Sequence, residues 1–293
     1  MSASPVRDGV LFLVATPIGN LEDLSTRATA TLAAADLIAA EDTRRSGQLL
    51  RRLGIEKPLL SLHEHNERAR IDAVLARLEA GASVALVSDA GTPLVSDPGY
   101  EVVRAAIARG FEVVAVPGPC AAIVALTVSG LPADRFAFEG FLPGRSAARR
   151  SRLESLRDER RSLVFYEAPH RLREALRDLA EVFGADRPAA VARELTKVFE
   201  SVYRGTLGSL AGTVEEDTDM MRGEIVLVVG GAGDAATAVS NDAARIVNLL
   251  AGELPPARAA KLAARITGAP RAELYEIAQR AAAGKSERES DDS

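Results

Sequence analysis

"SVALVSDAGTPLVSDPGY", residues 83 to 100, runs from a short apolar stretch into a loop of Ser, Asp, Gly and Pro, and then into the start of a helical pattern at about Tyr100. That is a β-strand, a sharp turn and a helix, and the same unit recurs on both sides of it. Upstream come "VLFLVATP" with a helix from about Ser25, "LIAAED" with a helix behind it, and "PLLSLH" with a helix from about Asn66; downstream comes "FEVVAVPG". Strands that alternate with helices build an α/β domain around a mainly parallel sheet. In such sheets ligands sit beyond the carboxyl ends of the strands, where residues 88 to 99 fall. Ser, Asp, Gly and Pro are also what any sharp strand-to-helix turn uses, so this loop by itself does not establish a site.

After "PGPCAAIVALTVSGLP" the texture changes. "FAFEGFLP", "SLVFYEAP", "AAVARELT", "FESVYRG" and "EIVLVVGG" read as strands around helices near 147 to 159 and 170 to 184, and two of them follow each other directly, which suggests a mixed, partly antiparallel sheet. The Gly- and Ala-rich "GGAGDAATAVSND" reads as a linker before three helical stretches near 241 to 251, 256 to 266 and 270 to 283. The expected organisation is an N-terminal α/β domain over 9–119, a second α/β domain over 120–232, a helical domain over 241–284, and a disordered polar tail over 285–293. Gly268 and Pro270 separate the last two helices at the spacing of a helix-turn-helix, a pattern that a helical cap or a dimer contact explains equally well.

Composition sets bounds. The chain has 293 residues, 47% of them hydrophobic, enough for two cores. Its one cysteine, Cys120, leaves no intrachain disulfide framework and no zinc-type pairs. The first apolar run is broken at Pro17 and follows no basic signal-peptide start, so the sequence reads as a cytoplasmic protein without a membrane span. A formal charge of −5 argues against a generally basic nucleic-acid coat but allows a local patch.

Three strand ends carry unusual loops: "ATPIGNLEDLS" (15–25), "SDAGTP" (88–93) and "VPGPCAA" (116–122). Their glycines and prolines let backbone approach a ligand closely. None matches GxGxxG or GxxxxGK[ST], which disfavours dinucleotide and nucleoside triphosphate sites. Together with "AAEDTRRSGQLL", "LHEHNE", "FEGFLP", "VFYEAPHRL", "ELTKVFE" and "GEIVLVV", these loops resemble the tetrapyrrole-methylase-like family, in order from about Val10 to Gly230. Within it they resemble the branch that methylates a ribose 2′-oxygen of small-subunit ribosomal RNA. The resemblance implies two α/β domains with S-adenosyl-L-methionine in the cleft between them, and a homodimer. It further implies that Asp89, Ala90, Gly91 and Thr92 form one cofactor loop, Cys120 and Ala121 a second, and Tyr166, Glu167 and Ala168 a contact from the second domain. Ile18 and Gly19 stand where relatives that methylate tetrapyrroles carry GxGxG; "TPIGN" departs from that pattern and weakens a porphyrin-like substrate.

Methyl transfer from a sulfonium is an in-line displacement with a neutral leaving group, so it needs alignment and no metal. A ribose hydroxyl is a poor nucleophile, and a base that takes its proton helps by about 10²-fold or more. Asp42, His65 and Lys197 are the candidates. Asp42 has the alternative of pairing with Arg44 or Arg45. His63 and His65 flank Glu64 but no third ligand is marked, so no metal is expected. Lys197 reads either as a phosphate contact or as a base with a lowered pKa. For the RNA, "RSAARRSRLESLRDERR" (145–161) holds seven arginines against three acids, and "RRSGQLLRRLG" adds more from the first domain. Arg44, Arg45, Arg145, Arg149, Arg150 and Arg152 are therefore the candidate phosphate contacts, the alternative being a helix face laced with Glu–Arg pairs. The resemblance implies as substrate a cytidine in the decoding region of 16S ribosomal RNA, free or within the small subunit, with no DNA partner. The rival readings are a tetrapyrrole or other small-molecule methylase and a non-catalytic RNA-binding factor.

Overall fold

The computed structural model describes residues 9–63, 67–232 and 241–291. The chain divides into two compact units, Met1–Gly231 and Ala232–Ser293.

The first unit holds two sheets. Strands β1 (Val10–Val14), β2 (Leu37–Ala40), β3 (Leu59–Ser61), β4 (Val84–Val87) and β5 (Glu112–Val116) form an all-parallel sheet in the order β3-β2-β4-β1-β5. The alternation of side chains along each strand feeds two cores. Leu37, Ala39, Val84 and Leu86 meet α3 (Glu67–Glu79) and α4 (Tyr100–Ala108) on one face; Ile38, Ala40, Ala85 and Val87 meet α1 (Thr26–Ala34) and α2 (Thr43–Arg52) on the other. Burial on both faces is why "LIAA" and "VALV" are unbroken apolar runs. The strand order places β1 and β4 side by side, so the loops that leave their carboxyl ends are neighbours.

Helix α5 (Ala121–Ser129) leaves this sheet and packs Ala122, Ala125 and Leu126 on Val164, Ala192, Val226 and Val228 of the second one. There β6 (Phe136–Phe141), β7 (Ser162–Glu167), β8 (Pro188–Arg193), β9 (Ser201–Thr206) and β10 (Ile225–Val229) take the order β6-β7-β10-β8-β9. Only the β6–β7 pair is parallel, giving the mixed sheet that the sequence suggests. Its other face carries α6 (Ser146–Glu154), α7 (Leu172–Phe183) and α8 (Leu207–Glu216) over Leu163, Phe165, Val191 and Leu227. Ile18, from the loop after β1, sits in the α5 core and ties that loop to the second sheet.

The second unit packs α9 (Asn241–Glu253), α10 (Pro256–Thr267) and α11 (Arg271–Asp291) on an alanine-rich core of Ala243, Val247, Ala259, Ala260, Ala263, Leu274 and Ala278. Gly268, left-handed at φ 73°, ends α10. Helix α11 continues through Gly284 to Asp291, so most of the segment expected as a disordered tail is helical; one glycine without a proline behind it costs a helix only about 1 kcal/mol. Among the described residues no helix is long and apolar enough to cross a membrane.

Candidate functional site

The three unusual loops are joined to one another. Thr16 and Gly91 exchange backbone hydrogen bonds of 2.9 and 3.0 Å, which adds a short antiparallel bridge beyond the ends of β1 and β4. The Thr16 hydroxyl donates to the Ser88 carbonyl at 3.2 Å, and the Thr92 hydroxyl donates to the Pro119 carbonyl at 3.0 Å, fastening the loop after β5. Gly91 is needed for this: its φ is +88°, and a Cβ there would stand 3.2 Å from Ile18 Cγ2.

The joined loops and the edge of the second sheet enclose a cavity of about 480 Å³. Ile18, Asp89, Ala90, Gly91, Thr92, Cys120, Ala121, Tyr166, Glu167 and Ala168 all line it. Gly19 does not; it packs under the β8–β9 loop, where any side chain would collide with Lys197 Cγ, and the next N–H, of Asn20, donates to Thr196 Oγ1 at 3.1 Å. Tyr166 makes edge contacts with Phe138 and Phe141 at 4.9 and 5.6 Å, and Phe141, 56% exposed, marks an aromatic rim. The sequence reading missed Glu41, Val95, Ser96, Asp97, Phe141 and the Gly223–Val226 wall.

The lining is acidic. Glu41, Asp89, Asp97, Glu167 and Glu224 share the wall with one cation, Arg45, whose guanidinium lies 3.4 Å from the Asp89 carboxylate. Asp89 also accepts from the Asp42 N–H at 2.9 Å. Burial raises Glu41, with Asp89 adding to the effect and Arg45 opposing it. Asp97 is pushed up to about 7, by burial first and then by the Glu41 carboxylate, against a partial offset from the Ser88 hydroxyl. It sits in a loop with two left-handed non-glycine residues, Leu94 at φ 72° and Ser96 at φ 66°, a strained path that turns the Asp into the cavity wall. Glu167, 2% exposed, is raised by burial although the Ala168 N–H and Arg171 contact its Oε1; its Oε2 is buried with no hydrogen-bond partner. Burial also raises the Tyr166 hydroxyl.

Two of the candidate bases are otherwise engaged. Asp42 does not line the cavity; it caps α2, accepts from the Arg44 N–H at 2.8 Å and pairs with the Arg44 guanidinium, which together hold it down to about 2 and make it a poor proton acceptor. Lys197 bridges Glu194 at 2.7 Å and Glu224 at 3.3 Å; burial pulls its pKa down, but the two carboxylates outweigh that and leave it raised. It is a fully charged strut under the β8–β9 turn, where Glu194 and Thr196 have φ of 51° and 65°. His65 lies outside the described residues. No group of three His, Cys, Asp or Glu able to hold a metal occurs among the described residues.

The arginine stretch also departs from expectation. Arg149 is 1% exposed and cannot reach an RNA phosphate: its Nε donates to Asp178 at 2.7 Å and its Nη2 to Glu174 at 3.2 Å. Arg150 is tied to Asp178 and Glu181 at 2.8 and 2.6 Å, and Arg152 to Glu139. The missed signal is on α7, where Glu174, Asp178 and Glu181 repeat at helical spacing and present an acid stripe to the arginines of α6. Arg145 is exposed at the start of α6, and Arg44 is 88% exposed beside Asp42. Arg45, expected on the RNA, lines the cavity.

An open parallel sheet joined to a mixed one, with a cavity walled by both, defines a class that sequence comparison identifies: residues 10–211 match the family of tetrapyrrole (corrin/porphyrin) methylases, and the chain belongs to it. Residues 237–282 match the RsmI C-terminal HTH domain. The chain is 57% identical over 267 residues to the ribosomal RNA small subunit methyltransferase I of Xylella fastidiosa (strain Temecula1), covering 91% of this chain and 98% of that one. It is 52% identical over 272 residues to the protein of the same name from Pseudomonas aeruginosa, covering 92% and 96%. A uroporphyrin-III C-methyl transferase from Thermus thermophilus, solved with S-adenosyl homocysteine, shares the fold with a TM-score of 0.53 at 20% identity over 76% of this chain and 98% of its own.

Proposed function

We propose that this protein methylates small-subunit ribosomal RNA with S-adenosylmethionine, on the ribose 2′-oxygen of a cytidine in the decoding region, and does so in the cavity between the two sheets. The observation that carries the reading is the identity of about half or more of all residues, over nearly the full length of both chains, with proteins named ribosomal RNA small subunit methyltransferase I. "TPIGN" in place of a glycine-rich first loop supports RNA over a porphyrin-like substrate.

The residues suit the cofactor. Five carboxylates against one guanidinium make a field that favours a ligand carrying a sulfonium and an ammonium, and the orphaned Glu167 Oε2 is an acceptor without a donor. The backbone of residues 89–92 and 120–121 and the Tyr166 ring would hold the adenosine part. Bound there, S-adenosylmethionine supplies an electrophilic methyl group. The strained loop at 94–97 holds Asp97 at the cavity wall, and its carboxylate takes the proton of the attacking hydroxyl. A carboxyl with a pKa of about 7 is better matched to that task than Asp42 at about 2. Arg45 fixes Asp89, and the Lys197 strut fixes the turn against which Gly19 packs.

The test is transfer of a labelled methyl group from S-adenosylmethionine to small-subunit ribosomal RNA, followed by digestion to nucleosides. The expected product is 2′-O-methylcytidine. Label on a base, or only on a tetrapyrrole offered in competition, would overturn the reading.

A further inference from the structure

Helix α10 carries Arg258, Lys261 and Arg265 and no acidic residue. Spacings of three and four put the three cations on one face, opposite Ala259, Ala260 and Ala263, which are buried in the core of the helical unit. All three side chains are exposed, and none has an ion-pair partner among the described residues. Like charges at these spacings repel each other and weaken a helix, so the arrangement does nothing for the stability of the unit. The neighbouring α11, by contrast, pairs Arg280 with Glu276 across one turn. Leu262, 37% exposed, lies within the same stripe and gives it an apolar element.

We infer that this face of α10 grips the phosphate backbone of the RNA substrate, a contact made by a different unit of the chain from the one that holds the methyl-transfer cavity. A row of unpaired cations with no acid among them matches a polyanion by charge, and the gain comes largely from releasing counterions from the RNA. The inference rests on the RNA substrate proposed above. It moves the electrostatic grip from α6, where the arginines are held by α7, to a helix whose cations are open to solvent.

The test is the triple variant R258A/K261A/R265A. The positions are exposed and alanine is the best helix former, so the fold is retained, which far-ultraviolet circular dichroism checks. Binding to a small-subunit ribosomal RNA transcript is measured across a salt series beside the wild type, with S-adenosylmethionine affinity by calorimetry and methyl transfer at saturating RNA. The expected result is an affinity at least 10-fold weaker at low salt and a log–log salt slope shallower by about 2, since each lost phosphate contact removes about 0.7 to 0.9. Cofactor affinity and the rate at saturating RNA should not change. An unchanged slope would overturn the inference, as would a loss confined to self-association of the chain. If the wild type itself transfers no methyl group to RNA, it is the proposed function that fails, so the two failures are distinct.

Discussion

Helices α6 and α10 each present a row of basic residues, and the structure gives the two rows opposite fates. On α6, Arg149 and Arg150 are drawn onto Asp178, Glu174 and Glu181 of α7, and Arg149 ends 1% exposed as part of the core. On α10 the packed face is Ala259, Ala260 and Ala263 against apolar residues of α9 and α11, and the cations stay in water. The denser row is therefore structural and the sparser one is available to a partner. The same distinction sorts the titratable groups around the cavity. Asp42 and Lys197 are held charged by their partners, whereas Asp97 is pushed up by burial and then by the carboxylates of Glu41 and Asp89, and Glu167 is raised by burial in spite of Arg171. Groups held against their ordinary ionisation are where chemistry and ligands concentrate.

The sharpest way to break the comparison is Arg149→Ala. Asp178 is 4% exposed, and removing its buried partner leaves its charge balanced only by the half-exposed Arg150, so unfolding free energy in urea should fall by about 3 kcal/mol. Adding Asp178→Leu should restore a large part of that loss. If Arg149→Ala left stability intact and weakened RNA binding instead, the division between the two helices would be wrong.

Next in size is Gly91→Val, which forces a β-branched residue to φ +88° against Ile18. Strain of about 1 to 3 kcal/mol should appear as weaker S-adenosylmethionine binding by calorimetry, in a protein that remains folded. Wild-type affinity would remove this loop from the cofactor site.

Asp97→Asn should make the protein more stable as pH rises. A carboxyl whose folded pKa is raised to about 7 from 3.8 contributes stability below pH 4 that is lost as pH passes 7, and asparagine does not suffer that loss. The melting temperature of the variant should exceed that of the wild type by a few degrees at pH 8 and match it near pH 4. Equal melting temperatures at pH 8 would mean that Asp97 is not frustrated.

The smallest effect is expected for Arg150→Ala. With its guanidinium nearly half exposed and screened by solvent, its pairs with Asp178 and Glu181 should contribute little, so that the urea midpoint stays close to the wild type, and the RNA salt slope should not change. A slope shallower by about 1 would return α6 to the RNA surface.

What the sequence made legible follows from local physics. Four-residue apolar runs followed by Gly- and Pro-rich turns specify parallel strands with loops at their carboxyl ends; that the loops at 15–25, 88–93 and 116–122 share one cleft is implied by the family resemblance alone, and Ile18, Asp89, Gly91 and Cys120 from them line one cavity. What it hid was made by distant segments. Asp97 stands in the opening stretch itself, in the second of its two Ser-Asp pairs, yet its proton affinity depends on burial and then on Glu41 at the end of another strand. The burial of Arg149 depends on α7 lying alongside α6, and the acid stripe at 174, 178 and 181 is the one local sign of it. The sequence offers Asp42 either as a base or as a partner of Arg44 or Arg45, and its cap on α2, which decides between them, exists only once the helix starts there.

The most direct measurement is the pH dependence of single-turnover methylation of the ribosomal RNA, wild type beside Asp97→Asn. The wild-type rate should rise with pH, break near 7 as Asp97 loses its proton, and level off; the variant should be slower by about 10²-fold or more at the plateau and lack the break, with cofactor and RNA affinities retained. A variant that keeps both the wild-type rate and the break at 7 would contradict the assignment of the frustrated carboxylate as the proton acceptor.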